Sequence, residues 1–261
     1  MEDKERESER RDDEKLEFRG MGATAAKAES KLSNFWYYNK WKVIIGLFFS
    51  VLIGVSVYQI VTRDSPDLYV LYAGPGSSSA TEVENIRAAF RTVIGDYNGD
   101  GKVGTSLMML TCLTEDQITE REAESYIVNR SAILQNIKQF DNELGYGDSI
   151  IYMLDPELYE RAREAGGFMR MDDIFTEEEL ADLDLYDGCG VYLSSLKFTE
   201  VNSVFATFPP DTIICIRKIT AMSSAFRGQE KFEQRHRDHI EAFRNIVLYE
   251  YPEGYEPSVG E

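Results

Sequence analysis

Apolar positions run unbroken through residues 43–61, VIIGLFFSVLIGVSVYQIV, and every later segment is patterned differently. The run has no charge and no proline, and Gln59 is its one strongly polar member. As a helix it spans roughly 28 Å, close to the ~30 Å hydrocarbon core of a bilayer. An amphipathic helix of a soluble domain carries polar residues at every third or fourth place. This run does not, so it reads as a single transmembrane helix.

Beyond it, strand-length apolar runs alternate with stretches of helical period. Residues 67–74, DLYVLYAG, predict a short buried strand ending at Gly74-Pro75-Gly76 and a serine run. Thr81 with Glu84 predicts a capping box, ahead of Val83, Ile86, Phe90 and Val93 at helical spacing. A second strand is expected over 103–113. One long helix is expected over 122–144, with Ile133, Ile137, Phe140 and Leu144 on a stripe and Gly145 and Gly147 as its stop. Residues 149–154 predict a third strand. Asp155 then caps, and Pro156 begins, a helix that ends at Gly166-Gly167. Strand followed by helix, three times over, implies right-handed crossovers and a largely parallel sheet between helical layers.

After Asp173 the pattern loosens. Thr176 and Glu179 predict the cap of a short acidic helix, and 191–198 and 212–219 read as two further strands. An amphipathic helix over 230–248 carries Phe232, His236, Ile240, Phe243 and Val247 on one side. The fold class is therefore α/β: one N-terminal transmembrane helix, then a largely parallel-sheet domain over 67–249. Residues 250–261 form an acidic tail expected to fray.

Charge gives the span a direction. Residues 1–28 begin with interleaved acids and bases and almost nothing apolar, which predicts a disordered arm and linker. Residues 29–42 form an interfacial collar with Lys31, Phe35, Trp36, Tyr37, Tyr38, Lys40, Trp41 and Lys42, side chains that favour the headgroup layer. The twenty residues before the span hold four lysines, whereas the twenty after it hold one basic residue, Arg63. That asymmetry predicts a cytoplasmic N-terminus and an extracellular domain. The long preceding arm and the lack of a small-x-small site argue against a cleaved signal peptide. Gly46, Ser50 and Gly54 recur every four residues on one face, a spacing that lets two membrane helices approach closely as a homodimer.

The net charge of −18 excludes the basic surface that nucleic-acid binding needs, and it sets the domain against anionic lipid. Three cysteines, Cys112, Cys189 and Cys215, are too few and too scattered for a disulfide scaffold. A Cys189–Cys215 bridge fits an oxidising space, but the odd count speaks against it.

Candidate chemistry is sparse. Gly74, Gly76 and Ser77 lie between a strand and a helix start, where free N–H groups favour anions, and with Asp155 they mark the carboxyl end of the expected sheet. The loop has neither the P-loop lysine nor the dinucleotide fingerprint. Asp96, Asn98, Asp100 and Lys102 match positions 1, 3, 5 and 7 of a calcium loop with Gly101 at 6, but position 12 is Leu107 rather than Glu. Asn-Gly and Asp-Gly also turn well without an ion. His236 and His239 stand three apart with Glu233 one turn earlier, a spacing unlike the four of helical zinc sites, and His236 falls on the apolar stripe. Asn129-Arg130-Ser131 is a glycosylation triplet by pattern alone. No nucleophile elbow or paired-carboxylate arrangement emerges, so no enzyme and no cofactor are expected beyond the candidate calcium.

Residues 134–175 carry a familiar order: helix, strand, Asp155-Pro156, a helix ending in Gly166-Gly167, then Phe168 and Met171-Asp172-Asp173-Ile174-Phe175. This order resembles the first-lobe segment of bacterial extracytoplasmic solute-binding proteins of the type II periplasmic-binding fold. The collar NFWYYNKWKVII resembles the anchors of membrane-tethered Gram-positive proteins with reduced domains of that kind. The resemblance covers roughly residues 67–220. It implies a solute-binding-like domain with a reduced second lobe, since two-lobed members are longer. The expected role is display of a non-catalytic domain that binds a small ligand or an envelope protein. The alternative is a structural scaffold or assembly subunit of a membrane complex.

Overall fold

The computed structural model describes residues 36–59, 65–218 and 229–255. The chain divides into two units, residues 1–63 and 64–261.

In the first unit the apolar run forms helix α1, Trp36–Gln59, whose 24 residues are long and apolar enough to cross a membrane. The helix begins inside the collar, seven residues before the apolar run, so Trp36, Tyr37, Tyr38 and Trp41 belong to it. Gly46 and Gly54 have open space where a side chain would stand. Between them Ser50 turns its hydroxyl back to the Gly46 carbonyl at 2.8 Å, so its polar group is satisfied within the helix. The rest of the arm, with its predicted disorder, lies outside the described residues.

The second unit is a mixed α/β domain. Its elements in chain order are β1 Leu68–Gly74, α2 Ala80–Arg91, β2 Thr105–Thr111, α3 Glu115–Ala123, α4 Arg130–Tyr146, β3 Ile151–Leu154, α5 Pro156–Glu164, α6 Glu177–Ala181, β4 Gly190–Tyr192, α7 Lys197–Val201, β5 Ile213–Ile216 and α8 Gln229–Val247. The sheet order is β2-β1-β3-β5-β4. β1 pairs in parallel with both β2 and β3. β5 lies antiparallel between β3 and β4, so four strands point one way and one opposes them.

Both faces of the sheet are covered, which explains why its strands read as apolar runs rather than alternations. Leu68, Val70 and Tyr72 of β1 pack on one face with Ile86 and Phe90 of α2 and Ala242, Phe243 and Ile246 of α8. Leu71 and Ala73 point the other way, toward Phe140 of α4 and Leu158, Tyr159 and Ala162 of α5. The first crossover therefore runs over one face and the second over the other.

Local chemistry sets the ends of the helices. Asp155 caps α5 by accepting from the Glu157 amide at 3.0 Å, with Pro156 in the first turn as expected. Thr176 and Glu179 form the capping box of α6. For α2 the box is Ser79 with Glu82, two residues before the expected Thr81 and Glu84.

The long helix expected over 122–144 is two helices. Thr114 and Gln117 box the start of α3. Its C-terminus closes with the Ser125 amide on the Glu122 carbonyl and the Tyr126 amide on the Arg121 carbonyl. Those two bonds make a Schellman stop with Ser125, at φ 70°, in the left-handed position that glycine usually takes. Asn129 then caps α4 through the Ala132 amide. Two further expectations shrink. The fourth strand is only Gly190–Tyr192, followed by a 3-10 turn and α7, and the fifth runs against the parallel set. The tail packs at its start: Tyr251 donates to Glu200 and stacks on Tyr255.

Candidate ligand-binding site

Strand order fixes where a site belongs. From β1 the chain crosses to β2 on one side, then passes over to β3 on the other, so the connections part at the carboxyl ends of β1 and β3. Open α/β sheets bind ligands in the crevice at such a switch point. The loops there carry Gly74, Gly76 and Ser77 after β1 and Asp155 after β3, and the fold brings them together. A Cβ built on Gly74 would lie 3.4 Å from the Cβ of Asp155.

What fills the crevice is the protein's own Tyr72. Its buried hydroxyl accepts from the Gly76 amide at 2.8 Å, and a Cβ on Gly74 or Gly76 would stand 2.7 or 2.6 Å from that oxygen. Both glycines are therefore required by the tyrosine. Burial, with Asp155 nearby, pushes the Tyr72 phenol up to about 12, so it stays protonated. The Ser79 amide is taken by Glu82 in the capping box. Asp155 spends one oxygen on the α5 cap and receives Gln117 Nε2 on the other at 3.4 Å. Most of the expected anion cradle is thus occupied from within, while Ser77 stays exposed.

Open space lies beside it. A cavity of about 510 Å³ sits beyond the carboxyl end of β2, between α3 and α4. That volume falls within the roughly 300–1,000 Å³ usual for small-molecule sites. Leu113, Val128 and Ile133 give it apolar walls; Thr111, Asn136 and Arg121 bring polar groups. Asn136 Nδ2 is fixed on the Thr111 carbonyl at 2.8 Å, and Arg121 Nη2 donates to the Pro75 carbonyl at 2.8 Å, joining the cavity wall to the β1–α2 loop. Tyr126 and Ile127 stand on the rim, Ile127 fully exposed. The rim exists because of the Schellman stop after α3. Sequence reasoning missed these residues because it ran one helix through 124–129. The signals were the Thr114/Gln117 box and Asn129 as a second N-cap.

The Asp96 loop is built from its own turns. Asp96 Oδ1 accepts the Gly99 amide and Oδ2 the Gly101 amide, each at 2.7 Å, with both glycines at positive φ. Asn98 and Asp100 each accept the amide two residues on, the latter that of Lys102. Buried Asp67 holds the loop from beneath through the Tyr97, Asn98 and Gly104 amides. Among the described residues no group of three or more His, Cys, Asp or Glu side chains is placed to hold a metal. We expect millimolar calcium to leave the thermal midpoint of the chain where EDTA leaves it, and Asp96→Ala to lower that midpoint equally in both. A calcium-dependent rise in the wild type would make this loop an ion site.

The remaining candidates are structural in their contacts. His239 Nε2 accepts the Tyr69 amide of β1 at 2.9 Å, while Nδ1 donates to the Arg235 carbonyl at 2.7 Å. Neither nitrogen is left for a metal. His236 Nε2 donates to the Arg217 carbonyl. The three cysteines are free thiols. Burial pushes all of them up, Cys112 to about 11, away from the thiolate that nucleophilic chemistry requires. Asn129 of the glycosylation triplet spends its side-chain oxygen on the α4 cap.

No protein-family model, no curated protein and no solved structure matches this chain.

Proposed function

We propose that this is a single-pass membrane protein whose α/β domain binds a small ligand without transforming it. The observation that carries the reading is the cavity between α3 and α4, adjoining the switch point of the sheet and furnished with both apolar walls and fixed polar groups. The four lysines before the span and the lone Arg63 after it support an N-terminus in the cytoplasm and a domain on the extracellular side. The domain is read as solute-binding-like, with the second lobe reduced, on the strength of the resemblance over residues 134–175.

A thermal-shift screen of the full chain in detergent against sugars, amino acids, organic acids and nucleosides tests the reading. At least one class is expected to raise the midpoint of the wild type and not that of Ala132→Trp, whose indole would occupy the cavity. A shift that survives the substitution, or none from any class, overturns it. The fully exposed Ile127 favours a second reading, a scaffold that docks a protein at this rim. That reading gains if a membrane partner co-purifies with the wild type and is lost with Ile127→Asp.

A further inference from the structure

We infer that the ligand of the α3/α4 cavity is a small monoanion, a carboxylate on an apolar body, and that Arg121 is the residue that selects it. The inference rests on the ligand-binding reading above and adds the chemical class.

The pairing of charges in this domain carries the argument. Acids outnumber bases 46 to 28, and arginines on the folded surface are mostly claimed by carboxylates. Arg91 pairs with Glu84, Arg161 with Asp141, Arg163 with Glu160, Arg235 with Asp148 and Arg244 with Glu179. At the start of α4, Arg130 is held by both Glu115 and Glu122. Arg121, on α3, forms no ion pair among the described residues. One of its terminal nitrogens rests on the Pro75 carbonyl, and the side chain is half-buried in the cavity wall.

Arg121, Arg217 and Arg237 have no carboxylate partner among the described residues; Arg217 is spent on backbone carbonyls and Arg237 on Gln234, and of the three Arg121 lines the cavity. A guanidinium offers five donors in a planar fork that fits a carboxylate with two parallel bonds, so the donor used on Pro75 leaves others for a ligand. A single cation matches a single negative charge. Glu124, also in the cavity wall, opposes a second charge and so disfavours phosphate dianions. The remaining walls, Leu113, Val128 and Ile133, fit an aliphatic or aromatic body rather than a sugar. α4 adds a favourable field, because its N-terminus opens on the same space through Asn129 and Ala132.

Calorimetry with the full chain in phosphatidylcholine nanodiscs tests this, with N-acetyl-leucine as the acid probe, N-acetyl-leucinamide as its neutral match and empty nanodiscs as the blank. The acid is expected to bind at least tenfold more tightly than the amide. Arg121→Gln should erase that preference, and Arg121→Lys, which keeps the charge but not the fork, should keep part of it. N-acetyl-leucyl-leucine in parallel distinguishes a free organic acid from a peptide C-terminus as the source of the carboxylate; binding of either supports the class. Equal binding of acid and amide to the wild type overturns the inference, and that comparison needs no variant to fold. A preference that persists in a folded Arg121→Gln also overturns it. If neither probe binds but a sugar or a cation gives a shift that Ala132→Trp abolishes, the anionic class falls and the cavity reading stands. If nothing of any class binds, both fall.

Discussion

Arg217→Met is expected to lower the unfolding free energy of the α/β domain by roughly 3 kcal/mol. Arg217 is 3 % exposed and has no carboxylate partner among the described residues. Nη1 donates instead to the carbonyls of Glu143 at 2.8 Å, Gly147 at 3.0 Å and Ser149 at 3.3 Å, where α4 ends. They lie in the last turn of α4, at its C-cap and just beyond it, at the negative end of the helix dipole, so a cation there supplies both bonds and charge. Glu143 has other donors, the Gly147 amide and the Tyr152 hydroxyl. Gly147 and Ser149 would each lose this donor to a buried carbonyl, and a buried acceptor left unmet costs about 1–3 kcal/mol. Removing the cation also relieves its own desolvation, which is why the expectation lies below the full sum. Urea titration of the full chain in nonionic detergent measures the effect, and Arg217→Lys should lose less. A loss under about 1 kcal/mol for the methionine variant would mean that the desolvation of the guanidinium cancels its bonds.

Acid is expected to unfold the domain from a higher pH than its carboxylates alone would allow. Burial holds the His239 imidazole down at about 3, against an ordinary value of 6.5, and the neutral ring uses both nitrogens. Below pH 6.5 the unfolded chain takes up a proton that the folded chain refuses. The stability linked to His239 is therefore fully present above 6.5 and is lost progressively down to about pH 3. Between pH 6.5 and 5 this amounts to about 2 kcal/mol from His239. His236, also lowered by burial, acts in the same direction. The chain has only these two histidines. Glu179, Glu84, Glu122 and Asp172, held below the usual carboxylate range by arginine hydrogen bonds, also favour the folded state, but they lose that contribution at lower pH. His239→Gln should flatten the slope between pH 6.5 and 5 while lowering the plateau above it. A slope unchanged by the substitution would place the acid sensitivity elsewhere.

The parts of the fold legible in the sequence are those decided by neighbours along the chain. β1, β3 and α5 announce themselves through an apolar run, a second apolar run, and Asp155-Pro156 ahead of Gly166-Gly167. The capping box of α6 is equally local. The direction of β5 is not, because Ile213–Ile216 would read the same in a parallel or an antiparallel slot, and only its place between β3 and β4 decides. The break between α3 and α4 hid behind a serine doing the work of a glycine. The meeting of Gly74 with Asp155 was legible from the crossover rule, but the tyrosine that fills the space between them was not. Arg121 looked like one charge among many until the carboxylate pairing of most surface arginines and its own place in the cavity wall set it apart, and pairing is a property of the folded surface.

The bond from the Tyr69 amide to His239 spans 170 residues. A ribosome adding ~5–20 residues per second takes on the order of ten to thirty seconds to cover that distance. Throughout that interval β1, an inner strand of the sheet, carries a backbone donor whose native acceptor has not been made. The sheet can pair and the first helices can dock, but this donor is met only when α8 emerges. Completion of the domain is thereby tied to the synthesis of α8, and a chain that stops before His239 leaves the Tyr69 amide of β1 without its native acceptor.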